Sequence, residues 1–142
     1  MAFGTKRFRP SLCRFDMKLD ELASIIRLSQ QEAAYLRDQG ALRGRKKHWK
    51  HDYSIEDAYR LCVASTLRNL GFSVRRAVSI TNQISDWFDI EGGNRRYIKE
   101  PEDRVFRLNA KLEGVDLGDV TLNVSKVISL VNHLFEQEGL EP

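Results

Sequence analysis

The chain has 142 residues, of which 42% are hydrophobic and 30% charged. This suits one domain with an appendage, or two very small ones, and excludes a disordered composition. The net charge of +3 hides an asymmetry: residues 1–76 carry 16 Arg/Lys against 8 Asp/Glu, whereas residues 77–142 carry 7 against 12. A basic half beside an acidic half suggests that one part meets a polyanion while the other does something else. Charge alone leaves DNA, RNA and an anionic membrane open.

No apolar run approaches the length of a membrane span, and the N-terminal MAFGTKRFRPSLCRF lacks the apolar core of a signal peptide. A soluble, intracellular protein is expected. Cys13 and Cys62 are isolated thiols without Cys-x-x-Cys spacing, so neither a disulfide framework nor a thiolate metal site is indicated.

Residues 1–15 contain Lys6, Arg7, Arg9, Pro10 and Arg14 among three Phe without any period, and read as a basic flexible arm. From Leu19 the apolar positions 19, 22, 23 and 26 follow a helical period, predicting a short first helix. After a break at Arg27-Leu28, Ser29 and Glu32 have the spacing of a capping box, so a second helix starts there and stops at Gly40. Two short helices joined by a tight turn are what a helix-turn-helix requires.

The segment that follows, Leu42 to Ser54, sets five Arg/Lys, two His, a Trp and a Tyr between helices. It is long enough for two short strands and a tip. Ser54 with Glu56 and Asp57 opens a third helix with the apolar face Ala58, Leu61, Cys62 and Leu67, closed near Leu70 by Gly71. Ser73 restarts the pattern. Ala77, Ile80, Ile84 and Trp87 or Phe88 predict a fourth helix ending before Gly92-Gly93.

Beyond Gly93, Phe106, Leu108, Ala110 and Leu112 alternate with polar residues, as in a half-buried strand. Gly114 to Asp119 reads as a turn, and Val120 to Leu122 as a short strand pairing back. In a final helix, Val124, Val127, Ile128, Val131, Leu134 and Phe135 form an apolar stripe that stops at Gly139. Such a stripe must be buried, either on the fourth helix or on a second copy of the chain, and is the expected dimer or partner interface.

In this order the elements of Met17 to about Ile84 resemble the MerR family of winged helix-turn-helix DNA-binding proteins. The resemblance rests on Glu21-Leu22-Ala23, Leu28-Ser29, Tyr35, Gly40-Ala41-Leu42, Tyr53-Ser54-Ile55-Glu56-Asp57 and Leu70-Gly71-Phe72-Ser73-Val74. It departs at Ala34, where the family usually has an Arg that grips the DNA backbone, and at Arg37, where it usually has Glu. The long dimerising helix of many members is not evident after Ser85.

The resemblance implies a fold that is mainly α with small β elements. A winged helix-turn-helix domain (16–88) would be followed by a small acidic strand-strand-helix region (89–142). Ser29, Gln30, Gln31 and Tyr35 would then lie at the front of a recognition helix, where Ser and Gln pair with base edges and Tyr with phosphate. Arg37, Arg43, Arg45, Lys46, Lys47, Lys50 and His51 would contact phosphate or minor groove, and His48 could do so. Trp49 and Tyr53 would pin the wing, and His133 would flank the apolar stripe. The bland alternatives are a solvated helix end and a solvated basic loop.

The function expected is a sequence-specific double-stranded DNA-binding regulator of transcription, a homodimer on a near-palindromic site, with RNA polymerase or another regulator as a further partner. Two other readings stay open: a DNA-bending recombination accessory of the excisionase kind, and a DNA-tethered adaptor whose C-terminal part recruits another protein. No glycine-rich phosphate loop, nucleophile elbow or paired acidic metal site occurs, so no enzyme, cofactor or metal is expected.

Overall fold

The computed structural model describes residues 17–47, 50–84, 87–91, 94–96, 105–112 and 115–139. The described residues are mainly helical, with five helices and three two-stranded antiparallel hairpins. The expected arm at 1–15, with Cys13, lies outside them, as do His48, Trp49 and Gly92-Gly93.

Helix α1 (Leu19–Ile25) and helix α2 (Gln30–Asp38) pack on each other through Leu22, Ala23, Ala33 and Leu36, all buried. The turn between them is Ile26 to Ser29, where Arg27 adopts a left-handed conformation at φ 60°. There the Leu28 amide donates back to the Ala23 carbonyl at 2.9 Å, the hydrogen bond that closes a helix end when the next residue turns left-handed. The Arg27 guanidinium reaches Gln137 at 3.1 Å. Helix α2 closes in the same way at Gly40 (φ 91°), with Ala41 donating to Leu36 at 3.0 Å.

Strands β1 (Arg45–Lys47) and β2 (Lys50–Asp52) pair with Arg45 opposite Asp52, Lys46 opposite His51 and Lys47 opposite Lys50. Helix α3 (Ile55–Asn69) follows and is the centre of the molecule, packing on α2, α4 and α5. Its buried apolar side chains include Ile55, Tyr59, Leu61, Val63 and Leu67. Helix α4 (Val74–Gln83) is capped by Ser73, whose Oγ accepts from the Arg76 amide at 3.2 Å.

The chain departs from expectation after Gln83. Ile84 takes an extended conformation (φ −78°, ψ 127°) and ends α4, so Trp87 and Phe88 do not continue the helix. They lie against Tyr59 of α3, with ring centroids 6.0 and 5.9 Å from it. Trp87 is buried in this stack and Phe88 half-buried beside it. Strands β3 (Asp89–Glu91) and β4 (Asn94–Arg96) then form a hairpin where the sequence pattern had suggested only the end of a helix.

Strand β5 (Val105–Leu112) matches the alternating segment, but its partner is longer than expected. Strand β6 (Val115–Asn123) begins at Val115, so the residues read as a turn up to Asp119 belong to the ladder. Leu112 opposite Val115 and Lys111 opposite Asp116 extend the pairing, with an irregularity between Asn109 and Lys111.

Helix α5 (Val124–Gln137) follows directly, with Asn123 as its cap. Its stripe packs mainly on α3 of the same chain, where α4 or a second copy was expected. Val124, Ile128, Val131 and Phe135 are fully buried, Leu134 is nearly so, and Val127 is half-buried against the same core. Tyr59 Oη donates to Asn132 Oδ1 at 2.5 Å, a polar link across the α3–α5 contact. Burial of each large apolar side chain contributes about 1.5–3 kcal/mol, which welds the acidic C-terminal part to the basic N-terminal part.

Candidate nucleic-acid interface

At the front of α2, Ser29 Oγ accepts the Glu32 amide at 3.1 Å, so half of the expected capping box forms. The other half does not, because the Glu32 carboxylate turns to α3 and pairs with Arg68. The Arg68 guanidinium carbon also sits 4.9 Å from the centre of the Tyr35 ring, a cation–π contact. Gln30 and Gln31 are exposed, and Tyr35 is 40% exposed. Ser29, Gln31, Glu32 and Tyr35 line a shallow hollow of about 320 Å³.

A second, larger groove of about 580 Å³ lies at the other end of α2, against the root of the β1–β2 hairpin. Its walls include Leu19, Arg37, Asp38, Leu42, Arg43 and Tyr53. Arg37 is exposed and is held by Asp38 at 3.0 Å, whose hydrogen bond raises the Arg37 pKa further. Arg43 is exposed too.

The hairpin root is fixed by a buried carboxylate. Asp57 Oδ1 accepts the Arg43 amide at 2.7 Å and the Gly44 amide at 3.3 Å, and Oδ2 accepts the Ser54 amide at 3.1 Å. The start of β1 and the end of β2 are thereby tied to one side chain on α3. Burial pushes the Asp57 pKa up, and the three amides with the charge of Arg60 pull it back. Gly44 is left-handed (φ +48°), and a Cβ there would stand 2.9 Å from the Tyr53 ring. Tyr53 is buried, pairs with Met17 as an isolated bridge, and has its phenol pKa raised by that burial against the lowering effect of Arg37. Next to the bridge, Lys18 pairs with Asp52.

Arg60 is the buried cation of the molecule's described core. Its Nε donates to the Ala41 carbonyl at 2.7 Å, a guanidinium nitrogen donates to Asn82 Oδ1, and Asn82 Nδ2 donates to the Gly40 carbonyl at 3.3 Å. Burial, then the charge of Arg43, lower its pKa. Together these bonds lock the loop between α2 and β1 onto α3 and α4.

The expected site residues therefore fall into three groups. Ser29, Gln31 and Tyr35 share the front of α2 with Gln30 beside them, and Arg37 and Arg43 share the groove at its far end. Arg45, Lys46, Lys47, Lys50 and His51 lie on the paired strands, with Lys46 and His51 at one register and Lys47 and Lys50 at the next; their side chains lie outside the described part. The third group, Val124, Val127, Ile128, Val131, Leu134 and Phe135, is corrected: these side chains are spent in the chain's own core and do not present an interface. His133 is exposed beside that stripe, with Gln137 at 3.1 Å.

Asp57, Arg60 and Arg68 are the organising residues that sequence reasoning missed. Asp57 carried a signal, its place three residues after Ser54, but that signal speaks only of a helix cap. Among the described residues no helix is long and apolar enough to cross a membrane, and no group of three or more His, Cys, Asp or Glu is placed to hold a metal ion. Comparison with protein-family models, with curated proteins and with solved structures finds no match for this chain.

Proposed function

We propose that the protein is a sequence-specific double-stranded DNA-binding regulator of transcription, built on a winged helix-turn-helix similar to that of the MerR family. The observation that supports this reading most is the Asp57 anchor. It ties both ends of a hairpin bearing Arg45, Lys46, Lys47 and Lys50 to the helix that also carries α2. A basic ribbon held at a fixed angle beside an exposed Ser-Gln-Gln helix front suits simultaneous contact with phosphates and base edges. On this reading α2 enters the major groove, Arg37 and Arg43 contact the backbone, and the β1–β2 ribbon contacts phosphates or the minor groove alongside.

The protein acts as a homodimer in this proposal. Because α3 covers the apolar stripe of α5, the two-fold contact of this proposal falls on a surface other than that stripe. Footprinting of genomic DNA bound by the purified protein, with its mass in solution, tests the reading. A two-fold symmetric footprint with a dimeric mass supports it. Tandem head-to-tail sites filled cooperatively would favour a DNA-bending accessory instead, and absence of any protected duplex would remove the DNA-binding reading.

A further inference from the structure

Resting on that DNA-binding reading, we propose that Arg68 of α3 is a positioning residue of the interface, which silences the charge of Glu32 and sets Tyr35 at the front of α2. Among the described residues, Glu32 is the carboxylate that lines the hollow formed with Ser29, Gln31 and Tyr35. A bare carboxylate there would face the polyanion that the surrounding polar side chains approach, and like-charge juxtaposition weakens binding. Arg68 pairs with that carboxylate, and its guanidinium stacks over Tyr35.

Both partners are partly withdrawn from water, with side-chain exposures of 32% for Arg68 and 28% for Glu32. The pair is consequently less screened than one on an open surface. Arg68 stands in the last turn of a helix whose neighbouring Leu67 is fully buried, so its origin is fixed by the core. Glu32 and Tyr35 are one helical turn apart on α2, and one planar cation reaches both. The front of α2 is thus held charge-silent from a helix that sequence patterning does not connect with binding.

The test is a double-mutant cycle of Arg68→Met and Glu32→Gln, read by fluorescence anisotropy on the duplex recovered by footprinting, at one fixed salt concentration. Arg68→Met keeps a flexible apolar stem over Tyr35 but exposes the Glu32 charge, and should weaken binding about tenfold. Adding Glu32→Gln should restore affinity to within about threefold of wild type, while Glu32→Gln alone should change it less than about threefold. Arg68→Lys, which keeps a positive charge beside Glu32 but loses the planar stack on Tyr35, should bind between wild type and Arg68→Met. Thermal melting of each variant separates loss of fold from loss of binding. If Glu32→Gln strengthens binding by the same factor whether or not Arg68 is present, or if Arg68→Met binds like wild type, the proposal is overturned. If the wild-type protein binds no duplex, the DNA-binding reading itself falls and takes this inference with it.

Discussion

Asp57 on α3 accepts the amide of Arg43 at 2.7 Å, although fourteen residues separate them and the whole basic hairpin lies in between. One buried carboxylate therefore fixes the base of a ribbon whose strands carry Arg45, Lys46, Lys47 and Lys50. Replacing it by Ala leaves the Arg43, Gly44 and Ser54 amides without their acceptor, at a cost of about 2–4 kcal/mol. Urea denaturation should show this loss. Hydrogen exchange should show the Arg43 and Gly44 amides losing protection before the body of α3 does.

Gly44→Ala should destabilise the protein by about 1–3 kcal/mol, because it combines a left-handed backbone with a Cβ that meets the Tyr53 ring at 2.9 Å. The double variant Gly44→Ala with Tyr53→Leu should recover part of that loss, since only the ring contact is relieved. Equal stability of Gly44→Ala and wild type in thermal melting would show that the hairpin root is not held as described.

Arg60→Met should cost about 2–4 kcal/mol, since the buried Ala41 carbonyl loses a charged donor that water cannot replace, and Asn82, which is exposed, loses its tie to α3. Calorimetric unfolding reads the effect directly. Asn82→Ala should cost less, because Arg60 retains its bond to Ala41.

The Cys62 thiol is pushed up to about 12 by burial, from an ordinary value of 9.0. A thiol whose folded pKa is raised stays protonated in the native state while the unfolded chain ionises. Its effect on stability is therefore absent below about pH 8 and becomes increasingly unfavourable as pH rises from the ordinary thiol value towards 12. In a Cys13→Ser background, Cys62→Ala should flatten the alkaline fall in stability measured by denaturant titration. In the same background the native Cys62 thiol should react with iodoacetamide far more slowly than the unfolded chain at pH 8.

Ile128→Ala should lower the stability of the chain itself, by about 2–4 kcal/mol, rather than dissociate an otherwise folded dimer. Denaturation at two protein concentrations distinguishes the two. A midpoint lowered equally at both concentrations, with the wild-type mass retained, matches a stripe packed on α3, whereas a variant that is fully folded but shifted to a smaller species would return the stripe to an interface between chains.

Much of the N-terminal architecture was legible because short-range chemistry specifies it. Ser29, Gly40, Ser54, Gly71 and Ser73 mark helix ends by local hydrogen bonding and backbone conformation, and the helices begin and end where these residues stand. The apolar period of α5 likewise revealed a buried face. It could not reveal which surface covers that face, since a stripe is the same against α3 as against another chain. Past Gln83 the periodic pattern misled: Trp87 and Phe88 fall at helical spacing from Ala77 and Ile84, yet their burial against Tyr59 is achieved by leaving the helix. The Gly-Gly pair between Glu91 and Asn94 was an available hairpin signal.

The candidate site was legible as composition and not as organisation. Arg43 to Lys50 announce a basic segment, and Ser29 to Gln31 a polar helix front. Asp57, Arg60 and Arg68, in contrast, look in sequence like ordinary charges of an amphipathic helix. Their roles come from partners 36 residues away for Arg68 with Glu32, and 19 and 22 residues away for Arg60 with Ala41 and Asn82. No period or motif encodes such pairings.

The central claim is that the anchored basic hairpin meets DNA phosphates beside α2, and the salt dependence of binding tests it most directly. Affinity for the footprinted duplex should be measured over a range of salt concentrations for wild type and for Lys46→Ala with Lys47→Ala. Wild-type affinity should fall steeply with salt, and the double variant should bind more weakly on every sequence, its log–log slope shallower by about 2, near 0.9 per lost phosphate contact. A double variant with the affinity and slope of wild type would contradict the account.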